Sequence, residues 1–339
     1  MGDDDILILS AGDIAALLAG REQAVMDTVS RAYRAHGAGQ SSLPHSSFLR
    51  FPGDDSNRII ALPAFLGSGF QVAGIKWIAS FPGNVEQGRP RASAVLVLSS
   101  CATGRPEAIL EGSLISAQRT AASAALAARI FLAGRPPEAT GFIGAGPINR
   151  EIARFLGVAL PGLGRIAVFD LDPGRAEQLA TTLRETPGFS SKVEVAPSLD
   201  AVLRSSPLLS FATTATRPHV EDLSVCPPGA VILHVSLRDL APRAILGCDN
   251  VVDDVDHVSR AQTSIHLAEQ LTGSRNFIRC TLAEILEGLA SPRREETAVT
   301  VFSPFGLGVL DIALGKQLLD LARAEGRGTT ISSFLPGAS

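Results

Sequence analysis

The sequence predicts an α/β protein that combines a Rossmann-type doubly wound parallel sheet with a second domain of the α+β class. Three observations predict it. A glycine-rich turn lies near the middle of the chain, short apolar runs alternate with helical segments after it, and strands joined by Pro/Gly turns precede it. The 339 residues are enough for two domains of ordinary size.

The glycine-rich turn at 141–149 predicts a dinucleotide site. Gly144 and Gly146 allow the backbone to turn tightly and to approach a pyrophosphate at the N-terminus of the next helix. Asp170 ends the following apolar run, where a carboxylate can accept hydrogen bonds from an adenosine ribose and repel a 2′-phosphate. The third small position of the fingerprint is Asn149, and Asp170 lies slightly beyond the usual spacing. The pattern as a whole favours NAD over NADP.

The segments after this turn alternate between strand and helix. Apolar, β-branched runs predict strands at 140–143, 166–169, 193–195, 208–212, 231–235 and 251–252, with helices at 174–185 and 198–205 between them. Alternation at this spacing is typical of a parallel sheet that has helices on both faces.

The first part of the chain follows another pattern. Strands are predicted at 59–62, 70–76 and 92–99, with Pro/Gly turns between them, as in antiparallel or mixed sheets. An alanine-rich helix at 116–132 bridges the two parts, and we expect the last helix, 308–325, to pack back on the first domain. We therefore predict a substrate-binding and dimerisation domain at 1–118 and 310–339, and an NAD-binding domain at 119–309.

Composition excludes several classes of function. The net charge of −4, without a basic run, argues against nucleic acid as a partner. No apolar run approaches the ~20 residues that span a bilayer, and the acidic start of the chain, 1–5, is unlike a signal peptide. The four cysteines are scattered, which indicates neither a metal cage nor a disulfide framework. We expect a cytoplasmic protein.

Three charged residues stand out as candidates for chemistry. Lys76 closes the apolar run 72–77, where it could bind a carboxylate, although a lysine that snorkels to water explains the pattern equally well. Arg119 begins an otherwise small and apolar helical stretch and could clamp a carboxylate, or lie on the surface. Asp239 follows a strong strand at the edge where parallel sheets bind ligands, and could relay protons or cap a helix.

Histidines and a run of acids are weaker candidates. His45 and His234 could serve as acid/base groups, but a single histidine is more often a hydrogen-bonded structural residue. Asp253, Asp254 and Asp256 with His257 are explained by a solvated strand end, so we predict no metal site.

Four ordered motifs, at 74–77, 118–123, 141–146 and 170–173, resemble those of the ornithine cyclodeaminase/mu-crystallin family, over nearly the whole chain. The resemblance implies NAD as cofactor and a homodimer formed through the mixed sheet of the first domain. It implies that Lys76 and Arg119 hold the substrate carboxylate and that Asp239 is the catalytic acid/base, with or without Lys76 tuning its pKa. It places at the cofactor Gly144, Gly146, Pro147, Ile148, Asp170, Thr213, Thr214 and Thr120.

Further motifs, at 42–47, 75–84, 91–96, 103–112 and 236–239, resemble family members that oxidise a secondary amine with NAD. These members cleave N-(2-amino-2-carboxyethyl)-L-glutamate to 2-oxoglutarate and L-2,3-diaminopropionate, a siderophore precursor. Cyclodeaminases carry a Gly-Gly pair before the catalytic aspartate, where this chain has Leu237-Arg238, which speaks against ornithine cyclisation. Because the implied substrate has three carboxylates, we expect Arg91, Arg238 and His45 to supply further positive charge.

Other members of the family remain alternatives. An ornithine cyclodeaminase, a ketimine reductase or an alanine dehydrogenase would share the fold and the residues Lys76, Arg119 and Asp239. A nucleotide-dependent binding protein without catalytic activity, as mu-crystallins are in part, is the alternative from another class. The presence of all three residues favours an enzyme.

Overall fold

The computed structural model describes residues 4–186, 189 and 192–337, without the side chain of Asp55. Residues 1–3, which belong to the acidic start of the chain, lie outside the described residues. The strands are β1 Ile6–Leu9, β2 Ser41–Ser42, β3 Ser47–Phe51, β4 Asp54–Leu66, β5 Val72–Ser80, β6 Ala92–Ser100, β7 Pro106–Glu111, β8 Ala139–Ile143, β9 Arg165–Phe169, β10 Val193–Val195, β11 Leu208–Phe211, β12 Val231–His234, β13 Asp249–Val252, β14 Ile278–Thr281, β15 Thr300–Ser303 and β16 Thr329–Ile331.

The helices are α1 Ala11–Leu18, α2 Glu22–Gly37, α3 Gly112–Phe131, α4 Pro147–Ala159, α5 Pro173–Glu185, α6 Leu199–Ser205, α7 Pro242–Leu246, α8 Val255–Val258, α9 Ser264–Thr272, α10 Leu282–Leu286 and α11 Gly308–Glu325, with a 3-10 turn at Pro82–Gln87. In the described part of the chain, no helix combines the length and the apolar character needed to cross a membrane.

The chain divides into two compact units. We call Met1–Arg119 with Leu307–Ser339 the terminal unit, and Thr120–Gly306 the central unit. The division falls within α3.

The terminal unit is built on a mixed sheet in the order β16-β1-β7-β6-β5-β4-β2, with β3 also paired to β4. Strands β1 and β7 are parallel, whereas the other recorded pairs are antiparallel. Helix α11 packs on β4, β5 and β6. Its glycines allow a close approach, since a Cβ at Gly308 would lie 3.2 Å from the carbonyl oxygen of Leu62 and one at Gly315 would lie 2.4 Å from Leu96.

The central unit is built on a parallel sheet in the order β10-β9-β8-β11-β12-β15-β13-β14. Its inner strands are short and buried on both faces, which explains why they are almost continuously apolar in sequence. The strand order reverses between β8 and β11, the switch point at which doubly wound sheets bind ligands. The fold class predicted from the sequence is confirmed.

The structure corrects some boundaries in the terminal unit. The strand predicted at 70–76 runs over Val72–Ser80, so Lys76 lies in the middle of β5 and not at its end. The strand predicted at 59–62 is the centre of the much longer β4. The final helix has the bounds that were predicted.

Candidate functional site

A buried cluster of charged side chains lies on the face of the terminal unit's sheet that packs against α11. Lys76 Nζ donates hydrogen bonds to Asp311 Oδ2 at 2.7 Å and to Ser116 Oγ at 3.1 Å. Arg119 Nε donates to the other oxygen of the same carboxylate, Asp311 Oδ1, at 3.0 Å. The side chains of Lys76, Arg119 and Asp311 are 3%, 8% and 0% exposed. The structure therefore brings together Lys76 and Arg119, both of which were candidates in the sequence. Their shared partner, the carboxylate of Asp311, was not predicted.

The elements that position this cluster follow from strand alternation. Leu62, Lys76 and Leu96 are paired across β4, β5 and β6, so their side chains share one face. Gly315 packs on that face, and Asp311 lies one turn earlier on α11. The lysine therefore faces a helix that carries its counter-ion, which is why it is tolerated within a strand.

The charges of the cluster do not cancel. Two basic side chains share one carboxylate, which leaves one positive charge in a buried place when Lys76 is protonated. The pKa of Lys76 is lowered from 10.5 to about 8, because burial and, less strongly, the charge of Arg119 outweigh the opposing effect of Asp311. A buried cation without a full counter-charge favours the binding of an anion.

The central unit carries a cradle for a pyrophosphate after β8. Gly144 has φ +90°, and a Cβ there would lie 2.6 Å from the carbonyl oxygen of Ala212, so only glycine fits without displacing the backbone. Gly146 is the N-cap of α4, and a Cβ there would meet nothing within 4 Å. Pro147 and Ile148 begin α4. The open N-terminus of a 13-residue helix suits an anionic group.

Asn149 holds this turn in place. It is fully buried, and its Nδ2 donates to the carbonyl oxygens of Ile143 at 2.9 Å and Gly144 at 2.6 Å. Its Oδ1 accepts a hydrogen bond from Ser210 at 2.7 Å. The residue that departs from the glycine fingerprint thus ties the turn to β8 and β11.

Asp170 stands where a ribose-binding carboxylate belongs. It directly follows β9 and accepts hydrogen bonds from the backbone N–H groups of Ala145, at 2.7 Å, and Asp172, at 3.0 Å. The first contact joins the carboxylate to the glycine turn. The open helix terminus, the close backbone approach at Gly144 and this carboxylate fit an adenine dinucleotide whose ribose carries no 2′-phosphate.

A second buried carboxylate, Asp239, lies in the loop after β12. It accepts hydrogen bonds from the hydroxyls of Thr213 and Ser236, and it is 0% exposed. His219 Nε2 lies 3.9 Å from Asp239 Oδ1, and the side chain of His219 is 40% exposed. Within the central unit the structure thus places Asp239 beside Thr213, a residue in the loop after β11 that the resemblance assigned to the cofactor.

His234 completes the surroundings of Asp239. Its Nε2 lies 3.4 Å from the carboxylate and also 3.2 Å from the backbone N–H of Asp239. One nitrogen cannot serve both, and we place a proton on Nε2 because a hydrogen bond to a carboxylate is the stronger of the two. Nδ1 then accepts from the hydroxyl of Ser303, 3.3 Å away.

These contacts decide the protonation of Asp239. Burial by itself raises the pKa of the carboxyl, but hydrogen bonds from His234, Ser236 and Thr213 outweigh it and hold the pKa below its usual value. The group is therefore ionised at neutral pH and able to accept a proton.

The two residues before Asp239, Leu237 and Arg238, differ in backbone conformation and in their hydrogen bonds. Leu237 has φ +69°, a left-handed conformation that favours glycine and costs a non-glycine residue roughly 1–2 kcal/mol. Its carbonyl oxygen accepts a hydrogen bond from the N–H of Ser264 at 2.7 Å. Arg238 donates to the carbonyl oxygen of Ala261 at 2.6 Å, which directs at least part of its guanidinium to the backbone.

The remaining predicted site residues are half-buried or exposed. Arg91 is half-buried just before β6, and His45 is exposed between β2 and β3. Thr214 is exposed in the loop after β11, and Thr120 is half-buried in α3.

The acids considered for a metal have other partners. Asp253 accepts hydrogen bonds from the backbone N–H groups of Phe305 and Gly306, both at 2.8 Å. Asp254 caps α8 and bonds His257 Nδ1 at 2.9 Å. In the residues that the structure describes, no group of three or more His, Cys, Asp or Glu side chains is arranged to hold a metal ion.

Several residues of these sites were not predicted. Asp311 lies in the first turn of a helix, where an acid is ordinary, and nothing in the local sequence indicates a buried partner. Ser116 begins the helix predicted at 116–132 and Ser236 begins the motif at 236–239, but neither pattern indicates a role for the serine. His219 is visible in sequence only as a histidine close to Thr213, which is a weak signal.

The chain is similar to known proteins over nearly its whole length. The model of the ornithine cyclodeaminase/mu-crystallin family matches residues 7–326. The alanine dehydrogenase of Archaeoglobus fulgidus is 26% identical over 97% of this chain and 99% of its own. The N-((2S)-2-amino-2-carboxyethyl)-L-glutamate dehydrogenase of Staphylococcus aureus is 25% identical over 97% and 99%.

A solved structure also has the same fold over nearly the whole chain. The Δ(1)-pyrroline-2-carboxylate reductase of Thermococcus litoralis, in complex with NADH and L-proline, superposes with a TM-score of 0.88 at 25% identity, covering 96% of this chain and 100% of that one. Since the family model spans most of the chain, the protein belongs to the ornithine cyclodeaminase/mu-crystallin family.

Proposed function

We propose that this family member is an NAD-dependent dehydrogenase that oxidises N-((2S)-2-amino-2-carboxyethyl)-L-glutamate and releases L-2,3-diaminopropionate and 2-oxoglutarate. The observation that carries the proposal is the buried cluster of Lys76, Arg119 and Asp311. Its excess positive charge suits the carboxylate of an amino acid. The relative from Staphylococcus aureus, whose name gives this activity, supports the choice of substrate.

The cofactor assignment rests on the central unit. Gly144, Gly146 and the first turn of α4 would hold the pyrophosphate of NAD, and Asp170 would bind the adenosine ribose. When bound, NAD supplies the acceptor for a hydride from the substrate carbon that carries the secondary amine.

The protein's own groups carry the rest of the reaction. Lys76 and Arg119 bind a substrate carboxylate and so fix the orientation of the carbon that is oxidised. Loss of a hydride from carbon, and of a proton from nitrogen to the ionised Asp239, leaves an imine. Once it has released that proton, Asp239 takes another from water, whose oxygen adds to the imine carbon. Asp239 passes this second proton to the nitrogen, and the hydroxyl proton of the adduct follows as the carbon–nitrogen bond breaks. The products are the keto acid and the diamino acid, whose amine carries both protons of the water.

His219 gives the buried carboxylate a route to solvent. Asp239 is 0% exposed, so a proton that it accepts needs a neighbour that reaches water. The imidazole of His219 lies beside Asp239 and is partly exposed, and its two ring nitrogens allow it to accept a proton on one side and donate one on the other. In this proposal the proton that the amine loses on oxidation leaves through His219.

The proposal includes a homodimer formed through the outer face of the terminal unit's sheet. The residues on the face opposite Lys76 include Leu49, Trp77 and Val95, and Leu49 and Trp77 are 43% and 40% exposed. A second copy of the chain would cover this apolar face. Sedimentation of the wild type and of Trp77→Lys tests this. We expect the wild type to be a dimer and Trp77→Lys to be a monomer, and a monomeric wild type would contradict the proposal.

The experiment that tests the activity is a spectrophotometric assay of NADH formation with NAD and the glutamate adduct. Alanine, proline and ornithine are run in parallel. NADH formation with the adduct alone, together with 2-oxoglutarate and diaminopropionate as products, supports the proposal. NADH formation with alanine but not with the adduct would make the protein an alanine dehydrogenase, and proline from ornithine would make it a cyclodeaminase.

A further inference from the structure

A second group of cations lies at one end of strands β3 to β6 in the terminal unit. Arg50 and Arg58 stand directly opposite each other in β3 and β4. Arg58 is opposite Ser80 in β5, which in turn is opposite Ala92 in β6. Arg91 directly precedes Ala92, and its carbonyl oxygen accepts a hydrogen bond from the N–H of Phe81 at 2.8 Å.

Among the side chains that the structure describes, no carboxylate forms an ion pair with Arg58 or Arg91, although both arginines are half-buried. Of the two acids at the start of β4, Asp54 accepts its hydrogen bonds from Ser56 and Asn57, and the side chain of Asp55 lies outside the described part of the chain. Half-buried guanidinium groups without an acid are costly unless an anion binds them.

The pKa values of Arg58 and Arg91 reflect the cost of burying these charges. Burial lowers the pKa of Arg91, and the charge of Arg58 lowers it further. Burial likewise lowers the pKa of Arg58, with an added contribution from Arg50. Arg50 is exposed and lies 6.0 Å from the ring of Phe48, so it belongs to the edge of the group.

Arg58 lies on the same face of the sheet as the buried ion cluster. Positions 58, 60 and 62 of β4 share a face, and Leu62 is the partner of Lys76. Four residues of extended strand separate the Cα atoms of residues 58 and 62 by about 14 Å. Ile60 and its partner Ile78 lie between the two groups of cations. Along this face, the positive charge of Lys76 is followed by the apolar pair Ile60 and Ile78 and then by the positive charge of Arg58.

We propose that Arg58 and Arg91 form a second carboxylate subsite, so that this protein selects amino-acid substrates and keto-acid products that carry a carboxylate at both ends. This inference rests on the proposed function and assigns residues to the second carboxylate of its substrate. One carboxylate binds at Lys76 and Arg119, the methylene chain lies over Ile60 and Ile78, and the distal carboxylate reaches the guanidinium of Arg58. Arg91 adds positive charge beside Arg58 at this end of the sheet. A guanidinium is suited to this task because its donors match both oxygens of a carboxylate.

The test compares ligands that differ in the distal carboxylate. Binding of 2-oxoglutarate and of pyruvate to the full-length protein with NADH is measured by titration calorimetry, for the wild type, Arg58→Gln and Arg91→Gln. We expect the wild type to prefer 2-oxoglutarate. Each substitution should weaken 2-oxoglutarate binding about 10- to 100-fold, the range for hydrogen bonds to charged groups, and should leave pyruvate and NADH binding unchanged.

The matched control is Arg89→Gln, which removes an exposed arginine two positions before Arg91. It should bind both keto acids as the wild type does. Equal affinity of the wild type for the two keto acids overturns the subsite, as does an equal loss for both in Arg58→Gln and Arg91→Gln. Because the titration needs no turnover, a protein that fails to oxidise the glutamate adduct but prefers 2-oxoglutarate overturns the proposed substrate and retains the subsite.

Discussion

The two units each bury a carboxylate completely, and they hold it in opposite ways. Asp311 of the terminal unit lies between two cations, Lys76 and Arg119. Asp239 of the central unit is surrounded by hydroxyls and by an imidazole. A carboxylate between two cations is fixed as their counter-ion. One that is held mainly by hydroxyls can exchange its hydrogen bonds with a reacting molecule.

The difference assigns opposite tasks to the two carboxylates. The cluster around Asp311 keeps an excess of positive charge and so favours an anion. The surroundings of Asp239 keep its carboxylate ionised at neutral pH, which is the state that a general base requires. The predictions below test this contrast, beginning with the largest effect.

Asp239→Asn should remove turnover while leaving NAD binding intact. The amide keeps the size of the side chain but cannot accept a proton, and general-base catalysis contributes typically about 10²- to 10⁴-fold. The measurement is kcat with the glutamate adduct, together with the Kd of NADH. The control is Asp222→Asn, which changes an exposed acid of the same unit that bonds only its own turn. Unchanged kcat in Asp239→Asn would refute the role of this residue.

Asp311→Asn should act first on stability. Removal of the shared carboxylate charge leaves Lys76 and Arg119 buried without a counter-ion, and breaking a buried ion pair costs about 3–5 kcal/mol. Urea denaturation measures the free energy of unfolding. The matched control is Asp320→Asn in the same helix, where the acid pairs with Lys316 at the surface and contributes about 0–1 kcal/mol. Equal losses in the two variants would show that Asp311 is not the counter-ion of the cluster.

The pH dependence should separate Lys76 from Asp239. Lys76 binds a carboxylate only while protonated, and its pKa is lowered to about 8, so kcat/KM should fall as pH rises through about 8. In Lys76→Arg the side chain stays charged across this range. The fall should then disappear, whatever the activity that remains. A descending limb that persists near pH 8 in the variant would assign the titration to another group.

The sequence was sufficient for the fold because the decisive patterns are local. The glycine turn, the apolar runs of the central sheet and the bounds of α11 all depend on neighbours within a few residues, and the fold class was confirmed. Membership of the family followed from ordered motifs, and it was also confirmed.

The ion cluster could not be predicted in full because its members are distant in sequence. Lys76 and Asp311 are 235 residues apart, and a lysine in an apolar run appeared to mark the end of a strand. Only a counter-ion brought by α11 makes its burial in the middle of β5 acceptable. The loop at 236–239 was recognised as a departure from cyclodeaminases, but the left-handed backbone at Leu237 was not visible in the sequence.

The smallest effect is expected at the cofactor. Asp170→Ser removes the negative charge that faces a 2′-phosphate and leaves a hydroxyl that can donate a hydrogen bond to it. The preference for NAD over NADP, measured as the ratio of kcat/KM values, should therefore fall about 10-fold, or about 1.4 kcal/mol.

The matched control for this change lies two residues further along. Asp172 caps α5 through the N–H groups of Gly174 and Arg175, so Asp172→Asn retains an N-cap and should leave the cofactor preference unchanged. The comparison matters because the backbone N–H groups of Ala145 and Asp172 already bind Asp170. If Asp170→Ser weakens NAD and NADP equally, the carboxylate shapes the glycine turn without selecting the cofactor. If Asp170→Ser instead raises kcat/KM for NADP relative to that for NAD, the carboxylate faces the ribose and selects the cofactor.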